Sequence, residues 1–428
     1  MDRDLYFKIT CSEHENYIYD SVLVINIYYI NGGLNRGFLR LYIEVVSSNC
    51  YLVDKLILGI HMRKSILAFL LAGFAASSVQ ANDSLALYGL ADGGFGYTRF
   101  ESRNGKASKS GMWDGGQSSN RWGIRGTENL GNGLDAVFTL EGGFGLADGK
   151  QSQSGRLFGR QATLALKSDA MGELAFGRQG NIGYHWLTSV ATPFGNNFNQ
   201  ARSAGTFGVA EVRYDNQIQY QSPKLSGFQF GLGYSFNTDG EQLSTVDGQP
   251  NQNVRAFTTG IRYASGPLAA VLTYDQLKDA SKNSGATAKS WNLASSYDFD
   301  VLKIHIGFGV TDNGWFGTPS QIRNSDLSIG SIEKFNDGFR AYSYGVGVSV
   351  PTGTGGKILA GWGGVSPRKN GVAYLGKDLA TQQIMSLAYT HKLSSRTSAY
   401  VLGTYGKNIA LVAGNKTQSI GIGLRHSF

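Results

Sequence analysis

The side chains with the widest chemical reach in this sequence are its six histidines: His14, His61, His185, His305, His391 and His426. No two stand at a spacing that would bring a pair of imidazoles onto one metal ion, so a zinc hydrolase has no support. Gly353-Thr354-Gly355-Gly356-Lys357 resembles a phosphate-binding loop only superficially. Pro351 stands where the spaced first glycine belongs and no helical pattern follows, which predicts a turn between strands. No Gly-x-Ser-x-Gly run is present to carry a nucleophile. The two cysteines, Cys11 and Cys50, both precede residue 82, which excludes a disulfide framework or a Cys-ligated metal in residues 82–428. These residue types predict no catalytic residues, no bound metal and no cofactor.

The arginines remain. The formal charge is +8, and residues 1–81 carry seven Lys/Arg against seven Asp/Glu, so the whole excess falls on residues 82–428. Such an excess suits a solvated basic surface, an anion-attracting cavity or contact with anionic lipid headgroups. Which of these applies depends on the elements that carry the arginines.

Those elements read as strands. Beyond residue 82 helical periodicity is almost absent, and apolar and polar residues alternate with period two. Phe228, Phe230, Leu232, Tyr234 and Phe236 alternate with Gln229, Gly231, Gly233 and Ser235. The same holds for residues 302–310, 342–350 and 419–428. One face is apolar and tipped by Tyr, Trp or Phe; the other carries Gly, Ser, Gln, Lys and Arg. That is the pattern of a lipid-facing strand with a wet interior. In lipid every backbone donor needs a partner, so such strands span only as a closed barrel. Long apolar runs fit for a helical bundle are missing. The expected fold is all-β, and the length after residue 81 supplies about 16 antiparallel strands of roughly ten residues. Glu128–Gly133 and Ser168–Gly172 read as short turns, while residues 103–117, 237–253, 279–289 and 311–337 read as long extracellular loops.

The N-terminal region divides in two. Met62-Arg63-Lys64, the apolar core Ile66–Phe74 and the small residues ending at Val79-Gln80-Ala81 form a Sec-type signal with a cut before Asn82. Residues 1–61 differ in composition from the rest and read as an upstream extension from a misassigned start, with synthesis beginning at Met62. The barrel is then residues 82–428.

Parity places several arginines. Trp122 and Ile124 take the lipid face, so Arg121 and Arg125 face the lumen, because a charge at the lipid midplane costs about 2–4 kcal/mol. In the strand near residue 216, Val212, Tyr214, Ile218 and Tyr220 are expected outside and Arg213, Asp215, Gln217 and Gln219 inside. Strict parity puts Arg160 with Ala162, Leu164 and Leu166, which places it at a loop edge. Each arginine has an alternative role, as one half of a lumen salt bridge that only holds loops in place.

Four segments resemble one known family. Asn120–Glu128 followed by Leu130–Leu134 resembles the second strand and turn of Gram-negative general porins, the trimeric betaproteobacterial type especially. Leu174–Gln179 resembles their fifth strand, Arg213–Pro223 the strand after their constriction loop, and Gly423–Phe428 their terminal strand. The resemblance covers essentially all of residues 82–428. It implies a homotrimer of 16-stranded barrels in the cell outer membrane, in contact with lipid and lipopolysaccharide. It implies a third loop folded into the lumen opposite a cluster of wall arginines, with Arg178 among them. It also implies that Phe428 is a recognition signal for the barrel-assembly machinery; a terminal Phe serves equally as a girdle aromatic.

The constriction loop is expected over residues 180–210, and Thr192-Pro193-Phe194-Gly195 resembles its tip, placing Pro193, Phe194 and Gly195 at the constriction. Relatives carry a Glu in that run; here residues 180–210 hold no Asp or Glu. Wall positives without acidic partners on the loop concentrate anions in a narrow pore. The expected function is passive diffusion of small hydrophilic solutes, anions preferred, with no nucleic-acid partner and no enzymatic activity. A substrate-specific channel, an outer-membrane barrel enzyme and a structural adhesin barrel are the rival readings.

Overall fold

The computed structural model describes residues 5–9, 21–32, 36–47, 56–60, 84–198, 207, 213–244, 247, 252–279, 287–314, 335–370 and 379–428. The chain divides into two units, residues 1–80 and 81–428. In the first, β1 (Leu5–Ile9), β2 (Ser21–Gly32), β3 (Arg36–Ser47) and β4 (Leu56–Ile60) pair in sequence order as an antiparallel sheet. The expected signal at Met62–Ala81 lies outside the described residues.

The second unit is a closed antiparallel barrel in which each strand pairs with the next except β6 and β7, which both pair with β5. The chain runs through β5 (Ser84–Ser102), β6 (Gly105–Asp114), β7 (Arg121–Gly131), β8 (Leu134–Gly143), β9 (Gln161–Ser168), β10 (Gly172–Gly180) and the helix α1 (Ile182–Ala191). It continues with β11 (Arg213–Gln221), β12 (Phe228–Ser235), β13 (Val254–Ser265), β14 (Leu268–Asp279), β15 (Thr287–Asp298) and β16 (Lys303–Asp312). The last strands are β17 (Phe339–Thr352), β18 (Gly356–Asn370), β19 (Gln382–Lys392), β20 (Thr397–Lys407) and β21 (Lys416–Ser427). Both β6 and β7 pair with the long β5, with Gly93–Ser102 opposite β6 and Ser84–Leu90 opposite the start of β7. They are two halves of one stave interrupted at Gly115–Asn120, so the described strands form 16 staves, as the alternation predicted.

Closure joins β21 to β5, from Lys416↔Glu101 to Ser427↔Leu90. The terminal residue completes it: Gly89 N donates to Phe428 O at 3.0 Å and Phe428 N donates to Gly89 O at 3.1 Å. The Phe428 ring lies over Gly89, where a Cβ would fall 2.2 Å from it.

Large apolar side chains cover the outside, including Phe228, Phe230, Leu232, Ile304, Ile306, Phe308, Ile420 and Ile422. In water that surface would be untenable; in lipid it is the contact face. Aromatic pairs sit at both strand ends. Phe228–Tyr263 and Tyr297–Phe299 lie beside the short turns, and Tyr234–Phe236 and Tyr274–Trp291 toward the long loops. Among the described residues no helix is long and apolar enough to cross a membrane; the strands do so.

Two expectations are corrected. Residues 103–117 are not a loop: the chain turns at Arg103-Asn104 and returns as β6. Lys106–Ser110 is polar on both faces, so the alternation that marks a lipid-contacting strand is missing there. Tyr214, expected on the lipid face, is 0% exposed and packs with Ala256, Leu277 and Ala288 on the inner face. The β10–β11 register slips between Gly177 and Gln179, and Asn216 has φ +47°. The extra residue at such a bulge breaks the strict alternation, which turns Tyr214 inward while Asp215 keeps its pairing with Arg178. The Gly353–Gly355 run is the turn between β17 and β18 that the sequence predicted, with φ of +59° at Gly353 and +86° at Gly355.

Candidate functional site: the lumen and its constriction

The chain between β10 and β11 turns inward. Its first part is α1, which the strand alternation of the sequence does not predict. The local signals are an N-cap and a stop. Asn181 Oδ1 accepts the Tyr184 N–H at 2.6 Å, and Thr192, forced extended by Pro193, ends the helix with φ −148° and ψ 144°. Ile182, Trp186, Leu187 and Val190 pack on the inner wall with Val271 and Ala294. The wall makes room with glycine. A Cβ at Gly231 would lie 2.6 Å from Ile182 Cδ1, one at Gly347 2.3 Å from Pro193 Cδ, and one at Gly361 2.9 Å from the Phe194 ring. Thus the inner-face glycines read from the sequence as a wet lumen are, at these positions, the bed of the constriction loop.

Wall polar groups fix both helix ends. Gly183 N donates to Thr258 Oγ1 at 3.3 Å. Asp275 lies so close beneath the first turn that a Cβ on Gly183 would sit 2.0 Å from its Oδ2, where the positive end of the helix favours a carboxylate. At the other end His305 Nδ1 lies 2.9 Å from Val190 O. Beyond the helix, Pro193 and Phe194 turn against the wall, with Phe194 3% exposed, and Gly195 forms a turn with φ +56° and its N–H on Thr192 O at 3.2 Å. The Phe194 ring is therefore turned to the wall, and the exposed residues of the tip are Asn196 and Asn197. Residues 199–206 and 208–212 of the expected loop lie outside the described residues.

The arginines separate into two groups. Arg160, just ahead of β9, donates Nε to Glu141 Oε1 at 2.6 Å. Arg121 Nε lies 3.9 Å from Glu141 Oε2, which also accepts the Tyr88 hydroxyl at 3.1 Å. Arg213, opposite Gly180 in the ladder, is within electrostatic range of Arg160, Glu141 and Tyr184. Arg125 is exposed on the same strand as Arg121. Arg425 from β21 donates Nε to Ser118 Oγ at 3.1 Å and lies in range of Arg121. Around Glu141 this group gathers Arg121, Arg160 and Arg213, with Arg125 beside them and Arg425 between them and the carboxylate of Asp92.

The second group is balanced. Arg178 donates Nε to Gly159 O at 2.8 Å and pairs through its terminal nitrogen with Asp215. Arg156 bridges Asp215 at 3.2 Å and Asp239 at 2.7 Å. Its hydrogen bond to Asp239 raises its pKa further, so it stays charged at every accessible pH. Arg156 thus ties the β8–β9 connection to the β12–β13 loop, and Arg178 ties the same connection to Asp215 of β11, both in a loop-holding role.

His185, inside the inward loop, stands against Gly180. Burial lowers its pKa to about 4, and the nearby Arg213 and Arg160 push the same way; it is neutral at physiological pH. Sequence reasoning did not single out Arg425, although strand parity had already put it on the polar face of β21. Among the described residues no three His, Cys, Asp or Glu side chains converge on a metal position.

Residues 67–410 match the Gram-negative porin family. The chain is 43% identical to an outer membrane porin protein of Bordetella pertussis, with 86% of this chain covering 100% of that protein. It is 30% identical to outer membrane porin protein 32 of Delftia acidovorans, again over 86% of this chain and 100% of that one. Among solved structures, the anion-selective porin from Comamonas acidovorans is similar at 27% identity and a TM-score of 0.63, over 81% of this chain and 100% of that one.

Proposed function

This chain belongs to the Gram-negative porin family and is an outer-membrane channel for passive diffusion of small hydrophilic solutes, and from that premise we propose that its lumen favours anions. The observation that carries the reading is the single carboxylate Glu141 among Arg121, Arg160 and Arg213, facing a loop whose residues 180–210 contain no acid. An uncompensated charge about 8 Å from a permeating ion in water contributes about 0.5 kcal/mol. Screening at 0.1 M salt reduces this, yet two or three such charges still give an anion-to-cation preference of roughly several-fold. The anion-selective structural relative supports the assignment. The test is the reversal potential across a tenfold KCl gradient in a planar bilayer. The sign for chloride preference is expected, and the opposite sign overturns the proposal.

A substrate-specific channel would need aromatic rings along the open lumen. Tyr184, Trp186 and Tyr214 are instead buried in the bed of the loop, which favours a general pore. The assembled form is a homotrimer set in lipid and lipopolysaccharide, with Phe428 as the determinant read by the assembly machinery. Synthesis starts at Met62 and export removes residues 62–81. Complete coverage of the Bordetella and Delftia proteins by 86% of this chain supports that start.

A further inference from the structure

We propose that Asp92, acting through the Gly115–Asn120 interruption of the second stave, is the positioning residue that anchors the constriction loop at Asn197 and Phe198, beyond α1, and so sets the channel cross-section. Between the pairs Gly93↔Asp114 and Leu90↔Arg121, two residues of β5 face six of the partner. The surplus turns inward and is folded around one side chain. Asp92 is 0% exposed. Its Oδ2 accepts the backbone N–H groups of Ser118 at 2.6 Å and Gln117 at 3.0 Å, and its Oδ1 accepts the Tyr400 hydroxyl at 2.8 Å. Asn120 Oδ1 in turn accepts the Asp92 N–H at 2.5 Å.

This bulge is the receptor for the loop. Phe198 N donates to Gln117 O at 2.5 Å, and Ser118 Oγ donates to Asn197 Oδ1 at 2.8 Å. The Phe198 ring stands edge-on to Tyr400, centroids 5.7 Å apart and planes at 88°. Tyr400 is thus shared between the carboxylate and the loop. Arg425, one of the lumen arginines, is fastened to the same Ser118. The loop leaves the wall at Gly180 and is held at α1; among the described residues Asn197 and Phe198 meet the β5–β20 side through this latch and through the packing of the Phe198 ring with Trp113 and Leu402.

A carboxylate is the group this place requires, because it accepts three hydrogen bonds and donates none. An amide of the same shape would turn a donor toward either Tyr400 or the two N–H groups. The ladder of β5 is backbone and survives that change.

The test is Asp92→Asn in planar bilayers, with barrel folding checked by resistance to SDS before heating. The expected result is a folded channel whose open-state current noise rises at least twofold and which visits substates absent from the parent. Residues 82–428 hold no cysteine, so Ser118→Cys with Asn197→Cys can replace the latch covalently. In the D92N background the oxidised pair is expected to return the noise to the parental level and reduction to release it. Parental noise in D92N, or noise that the cross-link leaves unchanged, overturns the proposal. If D92N does not fold, the S118A/N197A pair removes the side-chain bond of the latch without touching Asp92 and is expected to show the same substates; quiet channels from it overturn the proposal. The reversal potential read in the same records reports on anion preference separately, since the latch requires only that the chain be a channel.

Discussion

Arg160 Nε lies 2.6 Å from Glu141 Oε1, while the other oxygen of that carboxylate serves both Arg121 and Tyr88. One acid therefore holds two arginines of the lumen wall, and its charge is shared between them. Glu141→Gln keeps the shape and removes the charge. The anion-to-cation permeability ratio is expected to rise by about twofold, since one further unit of positive charge acts on ions passing within roughly a Debye length. The reversal potential reads this directly. The folded barrel should also melt earlier, because a hydrogen bond to a charged group contributes about 1.5–3 kcal/mol.

Salt provides an independent check. The Debye length falls from about 10 Å at 0.1 M to about 3 Å at 1 M. Selectivity that comes from wall charge should decay toward the free-solution ratio across that range, and Arg121→Gln with Arg425→Gln should remove most of it at low salt. Arg178→Gln is expected to change selectivity far less, because Asp215 already neutralises that guanidinium. A larger effect at Arg178 than at Arg121 would contradict this division of the arginines.

The glycine bed predicts steric control of the pore. Gly347→Ala places a Cβ 2.3 Å from Pro193 Cδ, and overpacking of this kind costs about 1–3 kcal/mol. The loop tip should move off the wall toward the lumen. Single-channel conductance is expected to fall while the far-ultraviolet circular dichroism stays that of a β-barrel.

Acid should loosen the loop through His185. Its pKa is lowered to about 4 in the folded loop against an ordinary value of about 6.5. The folded form therefore resists a proton that the detached form accepts. The resulting stability is complete above about pH 6.5, declines as the pH falls toward 4, and is flat below. The full loss is on the order of 3 kcal/mol. Channel noise measured from pH 7 to 4 should rise over this window, and His185→Gln should remove that part of the rise.

N-terminal sequencing of the exported protein should begin at Asn82. Peptides from residues 1–61 in the intact cell protein would refute the start at Met62.

Strand parity, turn chemistry and the terminal Phe428 were legible in the sequence because they are local. An i, i+2 pattern states which side of a pleated strand meets lipid whatever the partner, and the 16 staves, Arg121 on the polar side and the Gly353–Gly355 turn all followed from it. The helix α1 was written locally too, in Asn181 and Pro193, but the glycine bed of the whole inward segment on β12, β17 and β18 was not. Ring closure and register decided the remainder. They set Asp215 against Arg178, 37 residues earlier, and Asp92 against Tyr400, 308 residues later. A single extra residue near Asn216 turned Tyr214 from lipid to lumen. Charge at the constriction depends on which carboxylate reaches which guanidinium, and that pairing exists only once the hydrogen-bonded ladder has closed on itself.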